Sequence, residues 1–232
     1  MPAPRRPVVL SLGGSVLLTG EHDEAYLADL TALLHEVGEK HPLAVVVGGG
    51  RTAREYIALG RALGLNESEL DELGIEVTRL HARLLASLLH SAAPPRPPLT
   101  VAEAVGEVGR WPVVVMGGTE PGHTTDAVAA LLAERLRAER MVNATRTAGV
   151  YDRDPRKFPE AKRLPLLELS VFRKMVIEGT DGHAGQEFPF DRLGVERLAR
   201  ARIPLAVVDG RDLPQLRAAL EGKSFEGTLV QP

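Results

Sequence analysis

Cysteine is absent from the 232 residues, which excludes disulfides, thiolate zinc sites and a cysteine nucleophile and fits a reducing cytoplasm. Any excess of one charge is also missing. The formal net charge is −3 with both signs spread along the chain, so there is no basic stripe for a nucleic-acid polymer and no polybasic segment for a membrane surface. Small-molecule partners are expected. No apolar run has the length of a secretory or transmembrane segment: Val8 to Leu12, behind Arg5 and Arg6, runs straight into Gly13 and Gly14. A cytoplasmic location is the expectation. Internal repeats and low-complexity tracts are lacking, and the seven histidines are scattered without ligand spacing. Two common phosphate-binding signatures are missing as well. Gly222-Lys223-Ser224 ends like a P-loop, but Arg217 stands where its first glycine should be, and no dinucleotide fingerprint of the Gly-x-Gly-x-x-Gly type occurs.

What is present is a pattern of short aliphatic runs. Val8 to Leu12, Leu43 to Val47, Val113 to Met116, Met141 to Ala144 and Pro204 to Val208 are almost continuously apolar, as buried strands of a parallel sheet are. Between them lie helical spacings: Leu27, Leu30, Leu33, Leu34 and Val37, then Leu80, Leu84, Leu85, Leu88 and Leu89, then Ala130, Leu131, Leu132 and Leu136. Strands alternating with helices predict a three-layer α/β/α fold. The length of the chain and its 44% hydrophobic content allow one sizeable core or two closely joined lobes. Ala92 to Pro98 is too proline-rich for a helix or a central strand and reads as a surface connection.

The glycines fall at the ends of strands. Gly13-Gly14-Ser15 follows the first, Gly48-Gly49-Gly50 the second and Gly117-Gly118-Thr119 the third. Any one Gly-Gly is equally well a tight turn. Three in register predict a shared anion site, because ligands of open α/β sheets bind beyond the carboxyl ends of the strands, where helix starts offer free amides. Phosphoryl transfer to a phosphate monoester needs no strong base, since the acceptor is already an anion; it needs relief of repulsion by amides, arginines and Mg²⁺. Arg54 lies one helical turn past the glycines and is positioned to fold back over the loop, whereas Arg51 is expected on the solvated helix surface. Thr124 or Thr125 is expected to cap the next helix while the other hydroxyl faces a ligand, with Asp126 placed to orient amides or attract a metal ion. His123 is expected to position or pack rather than catalyse.

These residues carry a family resemblance. Gly13-Gly14-Ser15, the segment Gly48 to Tyr56, Asp71 to Ile75 with Thr78-Arg79, the loop Met116 to Asp126, and Gly149-Val150-Tyr151 followed by Asp154-Pro155 resemble, in the same order, the archaeal-type uridylate kinases of the amino-acid-kinase superfamily. The resemblance implies one amino-acid-kinase domain over 1–232 with a mainly parallel central sheet. Its acceptor-binding lobe would cover about 1–138 and its ATP-binding lobe 139–232. It implies transfer of the γ-phosphoryl of ATP to UMP with Mg²⁺, in pyrimidine nucleotide synthesis, by a homohexamer. Carried over, Gly14, Ser15, Gly50, Arg54, Thr145, Arg146, Tyr151 and Asp154 would hold ATP. Gly49, Asp71, Thr119, Glu120, Pro121, Gly122, His123, Thr124 and Thr125 would hold UMP, and Arg54 and Asp126 would serve the transfer itself. A kinase for another small phosphate, such as isopentenyl phosphate, and a non-catalytic nucleotide- or oxyanion-binding protein of the same fold are the alternatives.

Three departures from the family stand out. The wider superfamily usually has a lysine on the first strand where this chain has Ser11. Only five lysines occur in all and none lies in the glycine loops, so positive charge at the transfer centre is expected from arginine and metal, with little from the Ser11 hydroxyl. The family's Thr-Asn-Val-Asp-Gly-Val-Tyr pattern appears as Thr145 to Tyr151 with Arg146 and Ala148 replacing the amide and the acid. Its Ala-Gly-Ser-Ser region reads Ala184-Gly185-Gln186-Glu187, and Arg192 follows Asp191.

Overall fold

The protein is described by a computed structural model that covers residues 5–21, 23–181 and 190–232. Ala184 to Glu187 therefore lie outside the described residues. All five predicted strands form: β1 (Val8–Leu12), β2 (Leu43–Val47), β3 (Val113–Met116), β4 (Arg140–Thr145) and, fifth of these in sequence, β6 (Leu205–Asp209). Two further strands complete the sheet, β5 (Leu166–Glu168) and β7 (Thr228–Gln231). The order is β3-β2-β1-β4-β6-β7-β5, with every pairing parallel except β6 with β7. Each residue of β1, β2 and β3 is buried, which explains why these strands read as apolar runs, interrupted only by Ser11 of β1.

Helices cover both faces. Leu10, Leu12, Val45 and Val47 pack one way, against α2 (Asp23–Lys40), α4 (Glu67–Leu88) and α9 (Leu213–Glu221). Val9, Val46, Met116 and Val207 pack the other way, against α5 (Val101–Glu107), α6 (Thr125–Leu136), α7 (Leu169–Asp181) and α8 (Arg192–Ala201). Strand alternation thus divides one sheet between two cores, and the three-layer expectation holds. The short α1 (Gly14–Leu17) follows β1 directly, and α3 (Gly50–Ala62) packs against α4 and α1. The 22-residue α4 starts at a capping box, in which the Asn66 side chain accepts from the Glu69 amide and the Glu69 carboxylate accepts from the Asn66 amide. Ala92 to Pro98 is a connection containing only the end of a short 3₁₀ turn, His90–Ala92.

Chain order along the sheet reverses at β1. The chain runs from β1 outward through β2 to β3, then returns to β4 on the other side of β1. That reversal opens a crevice above the carboxyl ends of β1 and β4, the position at which open α/β sheets bind ligands.

Candidate active site

A cavity of about 420 Å³ occupies this crevice, and a second of about 270 Å³ lies beside it toward α4. Gly49, Gly50, Arg54 and Thr125 line both. The wall between the two spaces is thus mostly backbone, flanked by one guanidinium and one hydroxyl.

The glycine loops meet because they lack side chains. A Cβ on Gly14 would sit 2.3 Å from both the Gly48 carbonyl oxygen and the Gly50 nitrogen, far inside contact distance. Gly50 also has φ +60°, a left-handed conformation that glycine adopts without strain. The loops after β1 and β2 are therefore interlocked backbone to backbone. From that junction α3 begins at Gly50, while α6 begins at Thr125 across the site. Both present unpaired amides and the positive end of a helix dipole toward the shared wall.

Arg54 folds back as expected: its Nη2 donates to the Ser15 Oγ at 3.2 Å and joins the second glycine loop to the first. Arg51 points elsewhere and pairs with Glu55 on the exposed face of α3. Of the two threonines, Thr124 is the cap, its Oγ1 accepting from the Ala127 amide at 3.1 Å, which leaves Thr125 facing both cavities. The Thr124 hydroxyl also donates to Asp191, the cap of α8, whose other oxygen accepts from the Gly194 amide at 2.9 Å. One carboxylate thereby ties the starts of two helices together.

Asp126 reaches beneath β1, where its Oδ1 accepts from the Ser11 hydroxyl at 2.6 Å. Part of the residue stays open to the larger cavity, but its carboxyl is surrounded by protein. Burial pushes that carboxyl up to about 7, Asp191 adds to the rise, and the Ser11 bond works against it. The Ser11 hydroxyl is thus engaged with an acid at the site, more than the minor part expected of it.

The larger cavity brings together every residue assigned to ATP: Gly14, Ser15, Gly50, Arg54, Thr145, Arg146, Tyr151 and Asp154. Asp154 is already occupied there, since its carboxylate accepts from the Arg156 amide, Nε and Nη2 at 3.0–3.1 Å. Those bonds hold its carboxyl below the usual range. The smaller cavity gathers Gly49, Asp71, Glu120, His123, Thr124 and Thr125 from the set assigned to UMP. Thr119, Pro121 and Gly122 belong to the same loop without lining that space. Helix α4 grips this loop along its length. The Thr78 hydroxyl accepts from the Gly118 amide at 2.6 Å, Arg79 donates to the Thr119 carbonyl at 3.2 Å, and Asp71 accepts from the Gly122 amide at 2.7 Å. His123 pairs with Glu120 at 3.0 Å, a positioning contact.

Two buried residues help build the site without having stood out in the sequence. His81, on α4, bonds through Nδ1 to the Gly48 carbonyl at 2.9 Å and anchors the second glycine loop from below. Asn143, on β4, lines the larger cavity beside Ser11. Their only signal was polarity inside an apolar run.

Among the described residues no group of three or more histidines or acids is placed to hold a metal ion by itself. An ion carried on substrate phosphates fits better, because Mg²⁺ keeps several waters and takes few protein ligands. Asp126, which lines the larger cavity, would then supply negative charge facing it.

Comparison with known proteins agrees with this geometry. The amino acid kinase family model matches residues 6–209. A uridylate kinase of Methanospirillum hungatei is 45% identical over 96% of this chain and 94% of its own. One of Thermoplasma volcanium is 44% identical over 97% of both. The crystal structure of the Archaeoglobus fulgidus uridylate kinase superposes with a TM-score of 0.84 at 37% identity, covering 96% of this chain and 99% of that one. With its interlocked glycine loops at the sheet's reversal point and its kinship along nearly the whole length, the chain belongs to the amino acid kinase family, in the branch of the archaeal uridylate kinases.

Proposed function

We propose that the protein transfers the γ-phosphoryl group of ATP to UMP, giving ADP and UDP, with ATP in the larger cavity and UMP in the smaller. The observation that carries this assignment is the shared wall of Gly49, Gly50, Arg54 and Thr125. Two ligands on either side of a side-chain-poor wall bring their phosphates end to end, as in-line displacement requires. An oxygen of the UMP phosphate bonds to the γ-phosphorus while the bond to the β,γ-bridging oxygen breaks and leaves with ADP. The acceptor enters as an anion, so Arg54 and the amides at the starts of α3 and α6 serve chiefly to offset repulsion. Asp126 beneath the wall orients this machinery, and Mg²⁺ arriving with ATP supplies further neutralisation of the phosphates.

Loop residues Thr119 to Thr125 and Asp71 suit a ribose and a pyrimidine better than an isoprenoid tail, since they present amides, hydroxyls and carboxylates. The acceptor residues all fall within 1–138, while β4 and the loop after it bring half of the donor residues, Thr145, Arg146, Tyr151 and Asp154, from 139–232, which supports two lobes on one sheet. We also assign to this protein the cytoplasmic homohexamer and the place in pyrimidine nucleotide synthesis that its resemblance implies. The test is ADP release with ATP and Mg²⁺ across UMP, CMP, other nucleoside monophosphates and isopentenyl phosphate. UMP is expected to give the highest kcat/KM; no UMP-dependent release, with turnover on another phosphate, would remove the assignment.

A further inference from the structure

Five strands bring one residue each to a single cross-sheet row, in the order Met116, Val46, Ser11, Asn143 and Val207. All five face the layer that contains α6, because alternation sends the adjacent Leu10 and Leu12 of β1 to the opposite core. Only the central two are polar. They stand side by side on β1 and β4, about 4.8 Å apart by ordinary strand spacing, at the point where strand order reverses. Both are almost fully buried, 2% exposed for Ser11 and 3% for Asn143, and both line the larger cavity.

A carboxamide has two N–H donors and an acceptor oxygen, so Asn143 can keep the contact it makes within the protein and still offer a donor to the cavity it lines. Val142 and Ala144, its neighbours in β4, show what the strand otherwise buries. Ser11 is committed to Asp126, and no lysine occurs among the described residues lining the cavity. The four arginines that line it, Arg54, Arg146, Arg153 and Arg156, all come from α3 and the loop after β4, none from the strands that form the floor. A bound triphosphate would meet the Asp126 carboxyl at that floor, and a neutral donor there lessens the repulsion without taking the carboxyl for itself as a cation would.

We propose that Asn143 is a donor-side residue of the site, its carboxamide contacting the phosphate end of the bound nucleoside triphosphate beside the Ser11–Asp126 pair. This rests on the assignment of the larger cavity to ATP. Asn143 would do with a neutral hydrogen bond part of what a charged side chain on a central strand would do elsewhere.

The experiment compares wild type with Asn143→Val, which suits a buried strand, and Asn143→Ser, which keeps a small polar group but withdraws the amide. For each folded protein, calorimetry measures ATP binding with Mg²⁺ and without UMP, and steady-state kinetics gives KM for both substrates. Asn143→Val is expected to raise the ATP Kd and KM about tenfold, and Asn143→Ser about threefold, with the UMP KM within about twofold of wild type. A purely structural role would lower the melting temperature and leave the ATP affinity of the folded fraction unchanged, and that result in either variant overturns the proposal. If wild type binds ATP but does not phosphorylate UMP, the acceptor assignment fails while the calorimetric arm still decides the role of Asn143. If wild type binds no ATP, both fail.

Discussion

At the scale of single residues, the Ser11–Asp126 pair makes the sharpest claim. Because burial holds the Asp126 carboxyl at about 7, above its ordinary 3.8, the acid favours the folded state most in its protonated form. Its contribution to stability is whole below pH 3.8 and is lost as pH rises through about 7. Asp126→Asn should therefore flatten the fall in melting temperature between about pH 4.5 and 7.5 while cutting kcat by about tenfold or more. An unchanged pH slope in thermal denaturation would refute the burial argument. Ser11→Ala removes a bond that lowers this carboxyl, so the rising limb of the kcat profile should move to higher pH; a limb that stays in place would return Ser11 to a passive part. Arg54 and Thr125 were legible in the sequence because glycine, arginine and threonine at helix starts have few other uses in that order. Asn143 and His81 were not, since each matters only through what another segment places beside it: Ser11 across the ladder, the Gly48 carbonyl above α4.

Elements that lie wholly in the core were the most readable. β1, β2 and β3 begin and end where their apolar runs do, since strands buried on both faces leave no alternation to misread. β5 and β7 escaped notice for the opposite reason. Leu166 to Glu168 is three residues long and largely open at the sheet edge, and Thr228 to Gln231 mixes buried Thr228 and Val230 with exposed Gln231. The antiparallel pairing of β6 with β7 likewise has no local signature, being fixed by where the chain returns after α9. Between elements, the interlock of the first two glycine loops yields a direct test. Gly14→Ala should lower the melting temperature by about 2–12 °C, corresponding to roughly 1–3 kcal/mol of backbone displacement, because neither Gly48 nor Gly50 has a side chain to move aside. Gly106→Ala, on α5 with nothing within 4 Å of the new Cβ, is the control and should not destabilise. Equal responses in a thermal melt would show that the loops are not locked.

For the whole molecule, the outer helices α3 and α4 expose several large apolar side chains. Leu80, Leu84 and Leu88 recur at four-residue intervals on α4, and α3 adds exposed Tyr56 and Leu59, with Leu63 exposed just past its end. Light scattering should give a mass several times the 25.0 kDa of one chain, and Leu80→Glu should reduce it. A monomeric wild type at micromolar concentration would dismiss the assembly. Within each copy, the backbone wall common to the two cavities has a thermodynamic consequence. In the proposed arrangement two anions held against opposite sides of Gly49 and Gly50 would feel one another's field, with Arg54 and Thr125 beside them. By linkage, any factor by which ATP changes the affinity for UMP is the factor by which UMP changes the affinity for ATP. The coupling between the sites is symmetric, whichever nucleotide arrives first.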